Sequence, residues 1–475
     1  MDQRVNIVGG GLAGSEAALQ LAARGISVTL IEMRPAHQTA VHKTGDFAEL
    51  VCSNSLKSMK PESAAGMLKH EMQELGSQVL AAALRTRVPA GGALAVDRDE
   101  FSRTVTEAIA CHPLIETVPG EVVDVLEEGL VVAETNGAVR ELTGADATII
   151  ATGPLTSDAL ASRIEQLTGS EHLAFYDAAA PIVMTDSLDH DVLFRQSRYE
   201  DSGIGDYLNA PFTKQEYESF IAALLDADRV IAKDFETKEL FRACQPIEEI
   251  ARRGPDAPRH GMMKPVGLVD PRTGRRPWAA VQLRFEDAHG TCCNLVGFQT
   301  NLTFPEQRRV FRMIPGFKEA EFVRYGVMHR NTFIDAPRML DRHLRLKSAA
   351  YPLYFAGQVA GTEGYCEAIM SGLYTALCVA AELKSVALPP FPQETAFGSL
   401  LAYATDPCTK DYQPMHVNFG VFVPLETPIK NKRQRYAAFM ERGHRAISAY
   451  RDELCSRGLF PEALRYSVPS EDRHA

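Results

Sequence analysis

Two cysteines stand among residues that can alter the chemistry of a thiol. Cys244 lies in FRACQPIEEIARRG with Arg242, Arg252 and Arg253 close in sequence, and Cys52 lies in ELVCSNSLKS shortly before Lys57. A neighbouring cation favours the thiolate, the form that acts as nucleophile or redox partner, whereas Glu248 and Glu249 oppose it at Cys244. The nine cysteines form no CxxC pair and no spacing with histidine that would hold zinc, so no metal site is expected. Most are expected to be small buried apolar residues, Cys111 and Cys378 among them.

The elements that must position such chemistry begin at the N-terminus. VNIVGGGLAGSEAALQLAARGISVTLIE predicts a buried strand over Val5–Val8, a glycine turn, a helix that Gly25 stops, and a second strand ending at Glu32. Gly9, Gly11 and Gly14 fall on GxGxxG. The first permits a sharp turn, the second lets the backbone approach a pyrophosphate, and the third lets helix and strand pack closely. Gly10, Leu12 and Ala13 complete the turn and the helix start that faces the anion, and Glu32 is at the distance that suits a ribose hydroxyl.

Farther along, ADATIIATGP is a buried-strand pattern ending at Thr152 and Gly153, similar to the second FAD contact of flavoproteins with two dinucleotide folds. YPLYFAGQVAGTEGYCEAIMSGLYTALCVAAEL then predicts a strand, a glycine-rich turn and a long helix. That turn brings Gly357, Gln358, Gly361 and Thr362 toward the flavin end, with Tyr365 as a stacking candidate. The expected fold is therefore α/β, a Rossmann-like FAD fold of the two-dinucleotide-binding type with an inserted α+β domain. Residues 1–155 form its first part, 156–330 the insert, and 331–475 its second part with a helical tail around Asn431 to Leu454. Within the insert, Thr213 followed by Glu216 predicts a helix N-cap, and the run from Gly261 to Thr300 reads as an antiparallel sheet.

The formal charge is −11, yet Phe241–Arg284 carries nine basic against four acidic residues and Gln307–Lys347 ten against four. Such asymmetry suits a polyanionic partner gripped locally by an acidic protein. The N-terminus has charges where a signal peptide needs an apolar region, and no long uninterrupted apolar run occurs, so a cytoplasmic chain without membrane contact is expected.

The segments GGGLAGSEAALQLA, CSNSLKS, PAGGALAVDRDEFS, CQPIEEIARRG, MKPVGLVDPRTGRRPWAAVQLR, LVGFQTNL, GQVAGTEGYCEAIMSG and DYQPMHVNFG run in order over nearly the whole chain. Together they closely resemble the folate- and FAD-dependent tRNA (uracil-5-)-methyltransferase family. The resemblance implies 5-methyluridine formation at position 54 in the T-loop of tRNA. Carbon would come from 5,10-methylenetetrahydrofolate and electrons from NADH or NADPH through FAD. No second, permanently bound NAD and no obligatory protein partner is expected. The resemblance makes Cys52 and Cys244 the functional cysteines, Cys244 being assigned the attack on uracil C6 and Cys52 the flavin side, with exchange of the roles left open. Cys366 departs from the small aliphatic residue expected there and puts a third thiol near the flavin turn.

The tRNA backbone would be gripped by Arg252, Arg253, Arg275, Arg276, Arg308 and Arg309. Alternative readings are the same chemistry on ribosomal RNA, a wobble-uridine-modifying flavoprotein, and a flavin-containing RNA-binding or redox protein without transfer chemistry.

Overall fold

Gly9 has φ +100, a conformation that lets the chain leave the first strand and turn at once into a helix. In this computed structural model the described residues are 3–39, 41–51, 55–134, 137–169, 173–198, 205–231, 245–287, 289–409 and 412–466. The elements that carry the argument start with β1 (Arg4–Val8), α1 (Leu12–Ala23), β2 (Ser27–Glu32), β3 (Ile115–Pro119) and β4 (Ala147–Ile150). The middle of the chain supplies β5 (Ile182–Met184), β6 (Phe194–Arg195), β7 (Tyr207–Phe212), α2 (Lys214–Asp226), α3 (Ile247–Arg252), β8 (Ala279–Phe285) and β9 (Cys292–Leu295). After α4 (Phe304–Phe311) and β10 (Phe322–Arg324) come β11 (Leu353–Phe355), α5 (Tyr365–Leu383) and α6 (Lys432–Ser456).

A five-stranded parallel sheet has the order β11-β4-β1-β2-β3, with Ile7 paired to Leu30 on one side and to Ile149 on the other. β4 and β11 are buried at every position, as strands covered on both faces must be. Helices α1 and α5 lie against one another, and a side chain at Gly372 would run into the Ala13 carbonyl. α5 is long and apolar enough to cross a membrane, but 83% of its apolar window is buried in this core.

A second, six-stranded antiparallel sheet has the order β6-β7-β8-β9-β5-β10 and its own apolar core, with Phe212, Phe220, Val281, Phe298 and Phe311 at its centre. The chain enters this unit along Leu173–Ala178 and returns along Met328–Phe333, two strands that pair with each other. α2 opens on the expected box: Thr213 Oγ1 accepts from Glu216 N at 3.3 Å, and Thr213 N donates to Glu216 Oε2 at 2.8 Å. α6 is capped by Asn431, whose Oδ1 accepts from Gln434 N at 3.1 Å.

Two expectations change. The stretch from Gly261 to Trp278 is made of turns rather than strands, because Pro265, Pro271 and Pro277 lack the ladder N–H and Gly267 and Gly274 take positive φ; the strands begin only at Ala279. Among the seven described cysteines only Cys293, Cys366 and Cys378 are buried, while Cys111, at the C-cap of the helix Arg98–Ala110, is exposed like Cys408.

Candidate dinucleotide cofactor site

Three turns at the C-terminal ends of parallel strands open on one cavity, the place where open α/β sheets bind ligands. Gly9, Gly11, Leu12 and Ala13 line it after β1, Thr152 and Gly153 after β4, and Gly357 and Gln358 after β11, with Glu32 and Tyr365 also on its wall. Gly14 lies behind the turn, where a side chain would run into the Gly9 carbonyl oxygen, whereas a Cβ on Gly11 would meet no protein atom within 4 Å. Gly10 also faces away from the cavity, and its N–H donates to Glu32 Oε2 at 2.7 Å. Gly361 and Thr362 stand apart from the wall. Gly361 packs on Tyr412, and Thr362 Oγ1 donates to the Gly357 carbonyl at 2.8 Å, so this pair shapes the turn from behind.

Glu32 is held rigidly. Its Oε1 accepts from Arg34 N at 3.0 Å and Arg34 Nε at 2.9 Å, and Arg34 Nη1 reaches Glu49 at 3.3 Å. Burial by itself would raise its pKa, but Arg34 and the Gly10 N–H win and keep the carboxyl below its usual range. His42, on the same wall, is pushed down to about 4, first by burial and then by Arg34, so it is neutral at pH 7. Gln358 Nε2 is buried with no hydrogen-bond partner among the described residues, which makes it a donor available to a ligand.

Arg34, His42, Glu49 and Lys57 were not foreseen as wall residues. Lys57 Nζ pairs with Glu367 Oε1 at 3.0 Å, so its charge is shared with a carboxylate from α5. Cys52 lies outside the described residues, but Val51 and Ser55 on either side of that gap both line the cavity. Cys366 points away, its thiol 3.5 Å from the Leu56 carbonyl, and burial pushes its pKa up. The departure noted in the sequence therefore leaves a protonated, enclosed thiol.

Cys244 also lies outside the described residues, and no described residue between 173 and 331 lines the cavity. The helix that follows it, α3, shows what the acidic pair does. Glu248 is buried, accepting from Asn301 N at 2.6 Å and Thr300 Oγ1 at 3.1 Å, and so ties α3 to the LVGFQTNL turn. Glu249 pairs with Arg229 at 3.1 Å and with Arg252 at 3.5 Å. Arg252, Arg253, Arg275, Arg276, Arg308 and Arg309 are all exposed, with Arg309 paired to Glu306.

Burial raises Glu248 to about 7 from an ordinary 4.5. The fold prefers its neutral form, so its contribution to stability is complete below about 4.5 and is lost as pH climbs through about 7. Glu248→Gln keeps an acceptor for Asn301 N and reverses the Thr300 contact, its amide donating to Oγ1 in place of accepting from it. Its melting temperature is expected to gain on the wild type between about pH 5 and pH 8, equivalent to roughly 3 kcal/mol at the upper end. A gap that stays constant with pH would contradict this.

A family model described as glucose inhibited division protein A matches residues 4–387. The Methylenetetrahydrofolate--tRNA-(uracil-5-)-methyltransferase TrmFO of Symbiobacterium thermophilum is 51% identical over 452 residues, which cover 94% of this chain and 97% of that one. The protein of the same description from Geobacter sulfurreducens is 52% identical over 435 residues, covering 92% and 96%. The solved structure of Aquifex aeolicus GidA in its form II crystal aligns with a TM-score of 0.70 at 16% identity, over 98% of this chain and 75% of that one, a likeness of fold alone.

Proposed function

Because the chain belongs to the family of methylenetetrahydrofolate-dependent tRNA (uracil-5-)-methyltransferases, we propose that it forms 5-methyluridine at position 54 in the T-loop of tRNA. The carbon comes from 5,10-methylenetetrahydrofolate and the electrons from NADH or NADPH by way of FAD. The observation that carries the cofactor reading is the convergence of the three strand-end turns on one cavity, lined also by Gln358, whose Nε2 has no hydrogen-bond partner among the described residues.

In this reading the N-terminus of α1 and the Gly9–Ala13 backbone hold the pyrophosphate, and Glu32, fixed by Arg34, accepts from the ribose. Gly153, Gly357 and Gln358 hold the remainder of the cofactor, with Tyr365 beside the ring. Bound there, FAD supplies a two-electron relay between the nicotinamide and the one-carbon unit. Residues 1–155 and 331–475 build this site together with Thr156, Ser157 and Leu160, so the insert, expected from residue 156, begins only after the helix Asp158–Thr168, and it presents the RNA to the site.

Uracil C5 is too weak a nucleophile to take up a one-carbon unit unaided. The Cys244 thiolate adds to C6 and places negative charge on C5 and O4, so C5 bonds to the methylene carbon from folate. Loss of the C5 proton breaks the bond from the methylene carbon to the nitrogen that carried it and leaves an exocyclic methylene; two electrons and a proton, added together as hydride at that carbon while the thiolate leaves C6, complete the methyl group. Cys52, in the segment between Val51 and Ser55, serves the flavin side, as the base for that proton or as the guard of the reactive carbon.

The exposed arginines grip phosphates. Binding of unmodified tRNA is expected to weaken by about a thousandfold between about 50 and 200 mM salt if six or more contacts form, as measured by fluorescence anisotropy; a flat response would remove this part. The function itself is tested by incubating the protein with FAD, methylenetetrahydrofolate, NADH and an unmodified tRNA transcript. 5-Methyluridine is expected in that transcript and not in one carrying cytidine at position 54. Methylation at another position, or none, would overturn the reading.

A further inference from the structure

Three aromatic rings form a stack on the second unit that the cofactor site does not use. Phe304, the first residue of α4, lies on Tyr325 with centroids 4.9 Å apart and planes at 17°, and Phe322 of β10 lies on Tyr325 at 5.2 Å and 14°. Phe304 and Phe322 make no ring contact with each other, so Tyr325 is the middle ring. Phe304 is 49% exposed, which leaves an aromatic end open to solvent. A buried three-ring stack would be ordinary core, but this one sits on β10, the edge strand of its sheet.

Two features say what the open face takes. Arg308, one turn along α4, donates from Nε to the Tyr325 hydroxyl at 3.1 Å and has no carboxylate partner among the described residues, so a guanidinium flanks the stack. Arg324, adjacent to Tyr325, donates to the carbonyl of Val51 at 2.7 Å and of Val41 at 3.3 Å. Val51 lines the cavity, so the stack is tied to the wall at the segment that contains Cys52. A flat aromatic end beside an exposed guanidinium fits a nucleobase and its phosphate, since every base offers a π face and every nucleotide an anion.

We infer that the Phe304–Tyr325–Phe322 stack is a platform on which an unstacked base of the RNA substrate lies as a fourth ring, with Arg308 on its phosphate, joined through Arg324 to the cavity wall at Val51. The inference rests on the tRNA reading and names the surface that holds the loop open. A base leaving its own stack loses stacking energy, and a protein ring that replaces the lost neighbour offsets that cost.

The test is the affinity of Phe304→Ala and Phe304→Trp for an unmodified tRNA transcript across a salt series, with FAD absorbance as the folding control. The alanine variant is expected to bind about tenfold more weakly with an unchanged slope of log Kd against log salt, and tryptophan to restore binding. Wild-type affinity in Phe304→Ala would overturn the platform while leaving the tRNA reading intact. So would a loss accompanied by a shallower slope, which would mean that the ring only positions Arg308. Failure of the wild type to bind tRNA would overturn both.

Discussion

Gly11→Ala is expected to fold with the stability of the wild type and to lose FAD by about a hundredfold in affinity, roughly 3 kcal/mol. The expectation comes from an asymmetry among the glycines of the first turn. At Gly11 φ is −73 and ψ −169, extended backbone that alanine adopts freely, and a methyl group there would meet no protein atom within 4 Å. The space it enters belongs to the cavity, where the backbone must approach a pyrophosphate. Gly14→Ala is the opposite case, because its methyl runs into the Gly9 carbonyl and forces α1 off β1, so it should lower the melting temperature whether or not cofactor is present. Titration of the two apoproteins with FAD, followed by flavin fluorescence, separates these outcomes. Tight FAD binding by a folded Gly11→Ala would mean that the cofactor does not cross this turn.

The larger effect is expected at the thiols. Cys244→Ala should reduce methyl transfer by on the order of a thousandfold or more, because without addition at C6 the C5 carbon has no way to become nucleophilic. FAD binding should be retained, since no described residue between 173 and 331 lines the cavity. Cys52→Ala should also lose transfer but keep the covalent step. With RNA carrying 5-fluorouridine at the target position, wild type and Cys52→Ala are expected to give a protein–RNA complex stable to denaturation, and Cys244→Ala none. An adduct formed by Cys244→Ala and absent from Cys52→Ala would exchange the two roles. Three of the described thiols do not compete: burial pushes Cys292 up to about 11 and Cys293 to about 12, and Cys366 is enclosed and also raised.

Much of the cofactor fold was legible because its signals are local. GxGxxG, the acid at Glu32, the Ala-Thr-Gly after a buried strand and the glycine turn before α5 each report a backbone shape within a few residues, and the structure brings all four to one cavity. Arg34, His42, Glu49 and Lys57 reach the wall from irregular chain, whose course is set by contacts such as Arg34 with Glu49 and Lys57 with Glu367, and those contacts leave no periodicity to read. The same reason hid the ring stack, since Phe304 meets Tyr325 only when α4 and β10 dock. Gly361 and Thr362 were assigned to the wall from the glycine pattern, but φ +82 at Gly361 carries the chain behind the turn against Tyr412. Glu248 was read as a charge beside a thiol, and its role as a buried acceptor with a raised pKa became visible only with the turn at Asn301.

Isotope tracing reads the origin of the methyl group directly. Methylenetetrahydrofolate deuterated in its methylene group, with NADH, FAD and an unmodified tRNA transcript, is expected to give 5-methyluridine at position 54 that keeps both deuterons on its methyl carbon. An unlabelled methyl group, or label that stays in folate while NADH is consumed, would contradict the account.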